Sequence, residues 1–267
     1  MLRRAAGSVF HPLLALCVGL FAYEAMAAKA ALRVLFVGNS QMITYDLPQM
    51  VATLSEAAPE EHPRLEIGRC TVGGTSLKSH WEAGEGPGTA RGLIAGEKWD
   101  LVILQEIFNA TPEGFEKYAE YFEELVRRSG PKLLLFATAN VTASYGASYQ
   151  TYLYPDAFKK LNGMQIDFGK KKNVAVAAAG LAWMKFLGPN PSQEALLDLY
   201  HKDKGHPGAK GTYIYACLLY AHITGRSPIG LPCEFPRIRE GISIPSEEAS
   251  RLQKTAWEQF AIDKTRE

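Results

Sequence analysis

Five near-continuous apolar runs set the terms for this chain: Leu32 to Val37, Arg64 to Thr71, Asp100 to Gln105, Lys132 to Ala137 and Val174 to Ala178. A strand with one wet face alternates apolar and polar residues. A run that stays apolar belongs to a strand covered on both faces, as in a parallel sheet. Helical patterns fill the intervals, most plainly from Pro112 to Arg128, where Phe115, Tyr118, Phe122 and Leu125 share one face and the charged residues lie elsewhere. Further helices are expected from Pro48 to Ala57, as a broken pair between Leu77 and Ala95, from Pro155 to Lys170 and from Gly208 to Ile223. A last helix starts at Ser246 as N-cap, with Glu247 and Glu248 where the helix dipole favours acids, and docks through Leu252, Trp257 and Phe260. The Gly/Pro-rich stretch from Ala83 to Gly88 is a loop. This β-α alternation predicts an α/β fold with a doubly wound parallel sheet, whose ligands bind beyond the carboxyl ends of the strands.

At 267 residues and 47% hydrophobic content the chain is long enough for a sizeable core, and its regular alternation predicts one domain, residues 28–267. Residues 1–27 are set apart. Leu2-Arg3-Arg4, an apolar stretch from Val9 to Ala22 and Ala25-Met26-Ala27 have the layout of a secretory signal peptide cut near Ala27, which implies export to the periplasm or beyond. The stretch holds His11 and Pro12 and is closed by Glu24, so it falls short of the roughly 20 apolar residues of a membrane span. The full chain's 29 basic residues less Arg3 and Arg4 match its 28 acidic residues less Glu24, for a net charge of zero. Such a balance offers a polyanion no electrostatic footprint, which argues against nucleic acid as a partner. Cys70, Cys217 and Cys233 remain after cleavage without a C-x-x-C pair, which gives a zinc ribbon or thioredoxin-like centre no support and leaves open one disulfide or three buried thiols. The histidines have no ligand spacing, so neither metal nor cofactor is expected.

Two short segments carry candidate chemistry. Val37-Gly38-Asn39-Ser40 puts a serine on the turn after the first strand, where free backbone N–H groups surround it. A serine hydroxyl is a weak nucleophile until a base takes its proton, and the same position equally suits a helix cap. Far along the chain, Asp203-Lys204-Gly205-His206-Pro207 spaces a carboxylate and an imidazole three residues apart, with Pro207 expected to open the next helix at its first position. In a triad the carboxylate fixes the imidazole tautomer and stabilises the imidazolium. Asp198 and His201 have the same spacing, but they continue the apolar helical pattern of Ala195, Leu196 and Leu199, so the loop pair Asp203/His206 is preferred.

Together with these segments, Val72-Gly73-Gly74-Thr75-Ser76-Leu77, Asp100 to Gln105-Glu106, and Gly211-Thr212-Tyr213 after His206-Pro207 form a series of blocks in order. The series resembles the SGNH (GDSL-type) serine hydrolases, and in particular exported members with Gly-Asn-Ser in the first block and Leu-Gln in the third. The resemblance spans about Leu32 to Ala216. It implies a three-layer, flavodoxin-like fold with a five-stranded sheet and esterase chemistry, with Ser40 as nucleophile, His206 as base and Asp203 as orienter. The oxyanion hole implied by the resemblance uses the backbone N–H of Ser40, that of Gly74 in preference to Gly73, and a side-chain amide. Two departures stand out. Asn39 replaces the usual Asp before the serine, a position that shapes the turn, and Gln105 stands where an asparagine donor is expected. Gln offers the same N–H on a longer stem, and one such donor is worth about 100- to 1,000-fold in turnover.

Around this set, Asn109 is either a substitute amide or an ordinary loop residue, Glu106 a second acid or a solvated helix cap, and His80 with Trp81 a pocket wall or core. Asn39, Gly73, His80 and Asn109 are the candidate substrate contacts. The expected function is an exported serine hydrolase that cleaves a small acyl ester through an acyl-enzyme, with a carbohydrate O-acetyl group as the leading substrate and lipid or aryl esters as alternatives. The rival is a binding or scaffold protein that kept the fold and lost its oxyanion hole, which the altered third block favours.

Overall fold

A computed structural model describes residues 31–59, 62–139, 155–238 and 241–266. The signal peptide expected at residues 1–27 lies outside them. Strands β1 (Leu32–Gly38), β2 (Leu65–Thr71), β3 (Leu101–Leu104), β4 (Lys132–Phe136) and β5 (Ala175–Ala177) form one parallel sheet in the order β2-β1-β3-β4-β5. Each starts and ends within a residue or two of its expected run. This is the flavodoxin-like order, and it reverses direction between β1 and β3.

Helices α1 (Ser40–Ile43) and α2 (Leu47–Ala57) follow β1, and α3 (Leu77–Glu82) and α4 (Ala90–Gly96) follow β2. Helix α5 (Pro112–Ser129) links β3 to β4, and α6 (Asp156–Lys172) precedes β5. Beyond β5 come α7 (Ala179–Leu187), α8 (Gln193–Leu197), α9 (Ala209–Thr224), a small antiparallel pair β6 (Glu234–Phe235) and β7 (Ile242–Ser243), and α10 (Ser246–Lys264). No helix among the described residues is long and apolar enough to cross a membrane.

The strands alternate between two cores, as the pleat requires. Val34, Phe36, Ile103, Leu134, Phe136 and Ala177 face a core shared with α2, α7, α9 and α10. Leu35, Val37, Val102, Leu104, Leu135 and Val176 face the opposite core with α4 and α5. Helix α9 is buried without a break from Gly211 to Ala221, because α2, α7 and α10 enclose it. At its start the Trp183 ring stacks on Tyr215 (centroids 5.1 Å apart) and meets Tyr200 edge-on (4.9 Å). The indole N–H of Trp183 donates to the Gly211 carbonyl at 3.2 Å.

Two local expectations are corrected, and one helix is new. Pro245, not Ser246, occupies the N-cap of α10, and no side chain caps that end. Gly208 is the N-cap of α9, so Pro207 lies just outside the helix, where it forms a bridge with Tyr200. Helix α7 was hidden because Ala178-Ala179 prolongs the apolar run of β5, which blurs the point where strand turns to helix.

Gly211 tests this packing. A Cβ there would fall 2.2 Å from both the Leu199 carbonyl oxygen and the Trp183 ring, and neither has room to retreat. Gly211→Ala is expected to cost about 2–3 kcal/mol. Gly163→Ala, in α6 with open space around it, is expected to gain about 0.5–1 kcal/mol. Denaturant midpoints of the two variants check both signs.

Candidate active site

The site is built where the strand order reverses. Chain direction at the end of β1 is fixed by Asn39, which has extended backbone (φ −126°, ψ −156°) and caps α1 with its own side chain: Oδ1 accepts the Gln41 N–H at 3.1 Å. Its Nδ2 donates to the Thr75 carbonyl at 2.9 Å, and its backbone N–H donates to Gln105 Oε1 at 2.9 Å. Asn39 is buried, so it shapes the turn and is not placed to line a substrate pocket. Because Asn39 takes the capping role, Ser40 does not, and its hydroxyl is left for another partner. Gly38 leaves the room this needs, since a Cβ there would sit 2.7 Å from Gln105 Oε1.

That partner is His206. Ser40 Oγ lies 2.8 Å from His206 Nε2, and His206 Nδ1 lies 2.8 Å from Asp203 Oδ2. The carboxylate only accepts, so Nδ1 carries a proton and Nε2 is free to accept the serine's. Asp203 Oδ1 accepts the backbone N–H groups of Gly205 and His206 at 2.9 and 3.0 Å. Partial burial pushes the Asp203 carboxyl up, but those two amides and the neighbouring imidazoles outweigh it and hold the group well below the usual carboxylate range. The loop bearing the pair is closed on itself: the His201 N–H donates to the His206 carbonyl at 2.8 Å and the Gly208 N–H to the Leu199 carbonyl at 2.8 Å. Gln41 Nε2 reaches across from α1 to the Gly205 carbonyl at 3.1 Å, which ties the serine's helix to the histidine's loop.

On the other side of Ser40, residues 72–75 form a tight turn in which the Thr75 N–H donates to the Val72 carbonyl and Gly74 takes a φ of +71°, a value that favours glycine. The backbone N–H groups of Ser40 and Gly74 have no partner among the described residues. Such donors are free to meet a developing negative charge.

Gln105 corrects the expectation placed on it. It is fully buried, its Oε1 receives the Asn39 N–H and its Nε2 donates to the Glu106 carbonyl. The donor at Asn39 dictates that orientation, so the amide lies beneath the turn and not in front of Ser40 Oγ. His80 is also corrected. It is buried, and its Nε2 donates to the Gly38 carbonyl at 2.9 Å, so it braces the end of β1 instead of lining a pocket. Burial pulls its imidazole below the ordinary value, against the pull of the Gly38 carbonyl. Trp81 packs on Phe122 and under Arg91. Glu106 does cap a helix, accepting the Leu77 N–H at the start of α3 (3.1 Å), and it also accepts the loop N–H of Ile107 (2.7 Å), but it is buried and not solvated. Asn109 is exposed, in the connection after β3.

Two participants went unnoticed in the sequence. Gln41 and Thr75 act through an amide and a carbonyl at contacts set by tertiary packing, and no motif marks them. A third, His201, was visible only as the half of a competing pair that does not form: Asp198 turns to Lys210 (2.5 Å), and His201 Nδ1 lies 3.1 Å from Asp203 Oδ2.

No family model matches the chain, and no curated protein matches it. Solved structures do. A protein assigned to the SGNH hydrolases from Slackia heliotrinireducens aligns with a TM-score of 0.56 at 21% identity, over 73% of this chain and 100% of that one. A DUF4886 family protein from Bacteroides uniformis aligns at 0.63 and 19% identity, over 89% and 97%. An acetylxylan esterase from Geobacillus stearothermophilus aligns at 0.51 and 14% identity, over 72% and 93%. The fold is that of the SGNH hydrolases. At these identities the likeness concerns architecture, and within the SGNH-hydrolase fold the chemistry rests on the residues described above.

Two predictions concern the polar groups under the turn. Burial lifts the Glu106 carboxyl above its usual range, with the Ile107 and Leu77 amides opposing it. A carboxyl raised by folding costs stability once it ionises and regains it as pH falls below its folded value. Glu106→Gln is therefore expected to be more stable than the parent at pH 7, with the gap closing on acidification, as thermal melts at several pH values read out. Gln105→Ala leaves the Asn39 N–H unpaired and is expected to lower stability by about 2–4 kcal/mol along with activity. A loss of activity with unchanged stability would instead mark Gln105 as a direct donor.

Proposed function

We propose that this protein is an exported serine esterase that removes a small acyl group, favoured as an O-acetyl group on a carbohydrate. The observation that carries the reading is the unbroken chain from Ser40 Oγ through His206 to Asp203, with both contacts at 2.8 Å. Ser40 Oγ attacks the ester carbonyl carbon while His206 Nε2 takes its proton. The carbonyl oxygen becomes an oxyanion, met by the backbone N–H groups of Ser40 and Gly74. Collapse breaks the bond to the alkoxy oxygen, which leaves with the proton from His206, and the acyl group stays on Ser40. Water then attacks the acyl-enzyme by the same route, giving the free acid and restoring the serine. Gln105 supports the hole from below by holding the Asn39 amide, and Asn109 is the amide left to contact substrate.

Carbohydrate as the leaving alcohol draws support from the acetylxylan esterase among the structural neighbours, and export from the leader-like residues 1–27. The burial of Gln105 favours the rival reading, a protein of this fold with a binding role, because it leaves two backbone donors and no side-chain amide at the hole. The two differ in one measurable property. An esterase has an activated serine, and a scaffold does not.

A fluorophosphonate probe is expected to label the mature chain at Ser40. Against p-nitrophenyl acetate and acetylated glycans, Ser40→Ala is expected to lose about four orders of magnitude in kcat or more. Equal turnover in the variant would sink the assignment. Asp203, with its carboxyl depressed, stays ionised far below the ordinary carboxylate range, and the stability it lends is lost progressively as pH falls from that ordinary range to the depressed value. The acid limb of kcat/KM is therefore expected well above the carboxylate range, from imidazole protonation. A profile flat down to the carboxylate range would count against His206 as base.

A further inference from the structure

Asp203 faces two imidazoles. His206 Nδ1 lies 2.8 Å from its Oδ2 and His201 Nδ1 lies 3.1 Å from the same oxygen. The backbone puts His201 there, since its N–H bonds the His206 carbonyl and its own carbonyl takes the Lys204 N–H, both at 2.8 Å. Tyr200, the residue before it, is wedged against Trp183 in the core, and the Tyr45 ring meets the His201 imidazole edge-on at 6.0 Å. The His201 side chain is 13% exposed, while that of Asp203 is 39% exposed.

Two backbone N–H groups fix Asp203 Oδ1, which leaves Oδ2, the oxygen that meets His206, in a partly wet setting where screening weakens the pair. The second imidazole adds a contact to that oxygen. We propose that His201 is a positioning residue of this site: neutral, its Nδ1 lies against Asp203 Oδ2 and keeps the carboxylate turned to His206, and protonated, it weakens the base. The inference rests on the esterase reading above. When His201 is charged it shares the field of the one carboxylate that must stabilise a proton on His206, and it repels that proton directly. Among the described residues, Asp203 lies against both imidazoles and the Tyr45 ring, from the segment between α1 and α2, meets His201 edge-on, while Lys202 and Lys204 are exposed neighbours in the same loop. Lys210, at the start of α9, is paired with Asp198 and Glu248.

The test compares the parent with His201→Gln, which keeps an N–H donor without a titrating charge, and His201→Ala, which keeps neither. With p-nitrophenyl acetate, His201→Ala is expected to lose about tenfold in plateau kcat with KM little changed, and His201→Gln to recover most of it. The acid limb of kcat/KM is expected to be broader than a one-proton curve in the parent and to sharpen to a one-proton curve in both variants. Imidazole NMR titration gives a readout independent of turnover: His206 is expected to titrate at higher pH in His201→Gln than in the parent, because a competing cation is gone. An unchanged His206 titration together with unchanged limb slopes would overturn the proposal. A parent chain that shows the His206 shift but no Ser40-dependent turnover would overturn the esterase reading alone.

Discussion

The end of β1 is the point on which the site depends. A strand that stops in the middle of a parallel sheet leaves backbone groups that must find partners away from water. Here they find side chains: the Asn39 N–H goes to Gln105 Oε1 and the Gly38 carbonyl to His80 Nε2, while Asn39 Nδ2 reaches the Thr75 carbonyl. These bonds come from the end of β3 and from the turn and helix α3 that follow β2, and β2 and β3 are the two neighbours of β1 in the sheet. The turn that presents Ser40 is thus held from both sides, and the hydroxyl points where the sheet geometry sends it.

The other half of the site has no strand beneath it. Asp203 and His206 sit on a loop whose position depends on three anchors of different kinds. Tyr200 packs in the aromatic cluster of Trp183 and Tyr215, the Tyr200–Pro207 bridge closes the loop, and Gln41 bonds the Gly205 carbonyl. Only the last joins the two halves directly. A loop so anchored is placed by the α7–α9 side of the protein, and the serine by the sheet. The 2.8 Å contact between Ser40 and His206 therefore reports the packing of α9 against the sheet as much as any local preference.

The layers, the strand sequence and the two segments that meet at the site were legible because each leaves a local trace. Near-continuous apolar runs mark buried strands, and a serine after one of them or a carboxylate three residues before a histidine is visible in the chain itself. What escaped was set by contacts between distant segments. Gln105 looked like a donor because it stands at the end of β3, and nothing local says that the Asn39 N–H, sixty-six positions earlier, would claim its oxygen and turn its amide away. His80 could serve as pocket wall or as core, and only the distant Gly38 carbonyl makes it a brace. His201 was set aside with Asp198 because helical periodicity seemed to run through it, yet α8 ends at Leu197 and the chain turns back.

The placement of Gln105 bears on how such a site handles charge. A side-chain amide at an oxyanion hole adds a donor but also adds torsions that must be frozen. Two backbone N–H groups held in a helix start and a glycine turn are oriented before substrate arrives, and they need no rearrangement as the oxygen gains charge. Their alignment depends on the polar groups under the turn staying in place. Gln105 and Glu106 meet that need from inside the protein: one fixes the Asn39 amide, the next the Leu77 and Ile107 amides, and both are buried. A buried carboxylate and a buried amide are costly unless every bond is made, so the same pair that keeps the donors aligned also penalises any loosening of the turn.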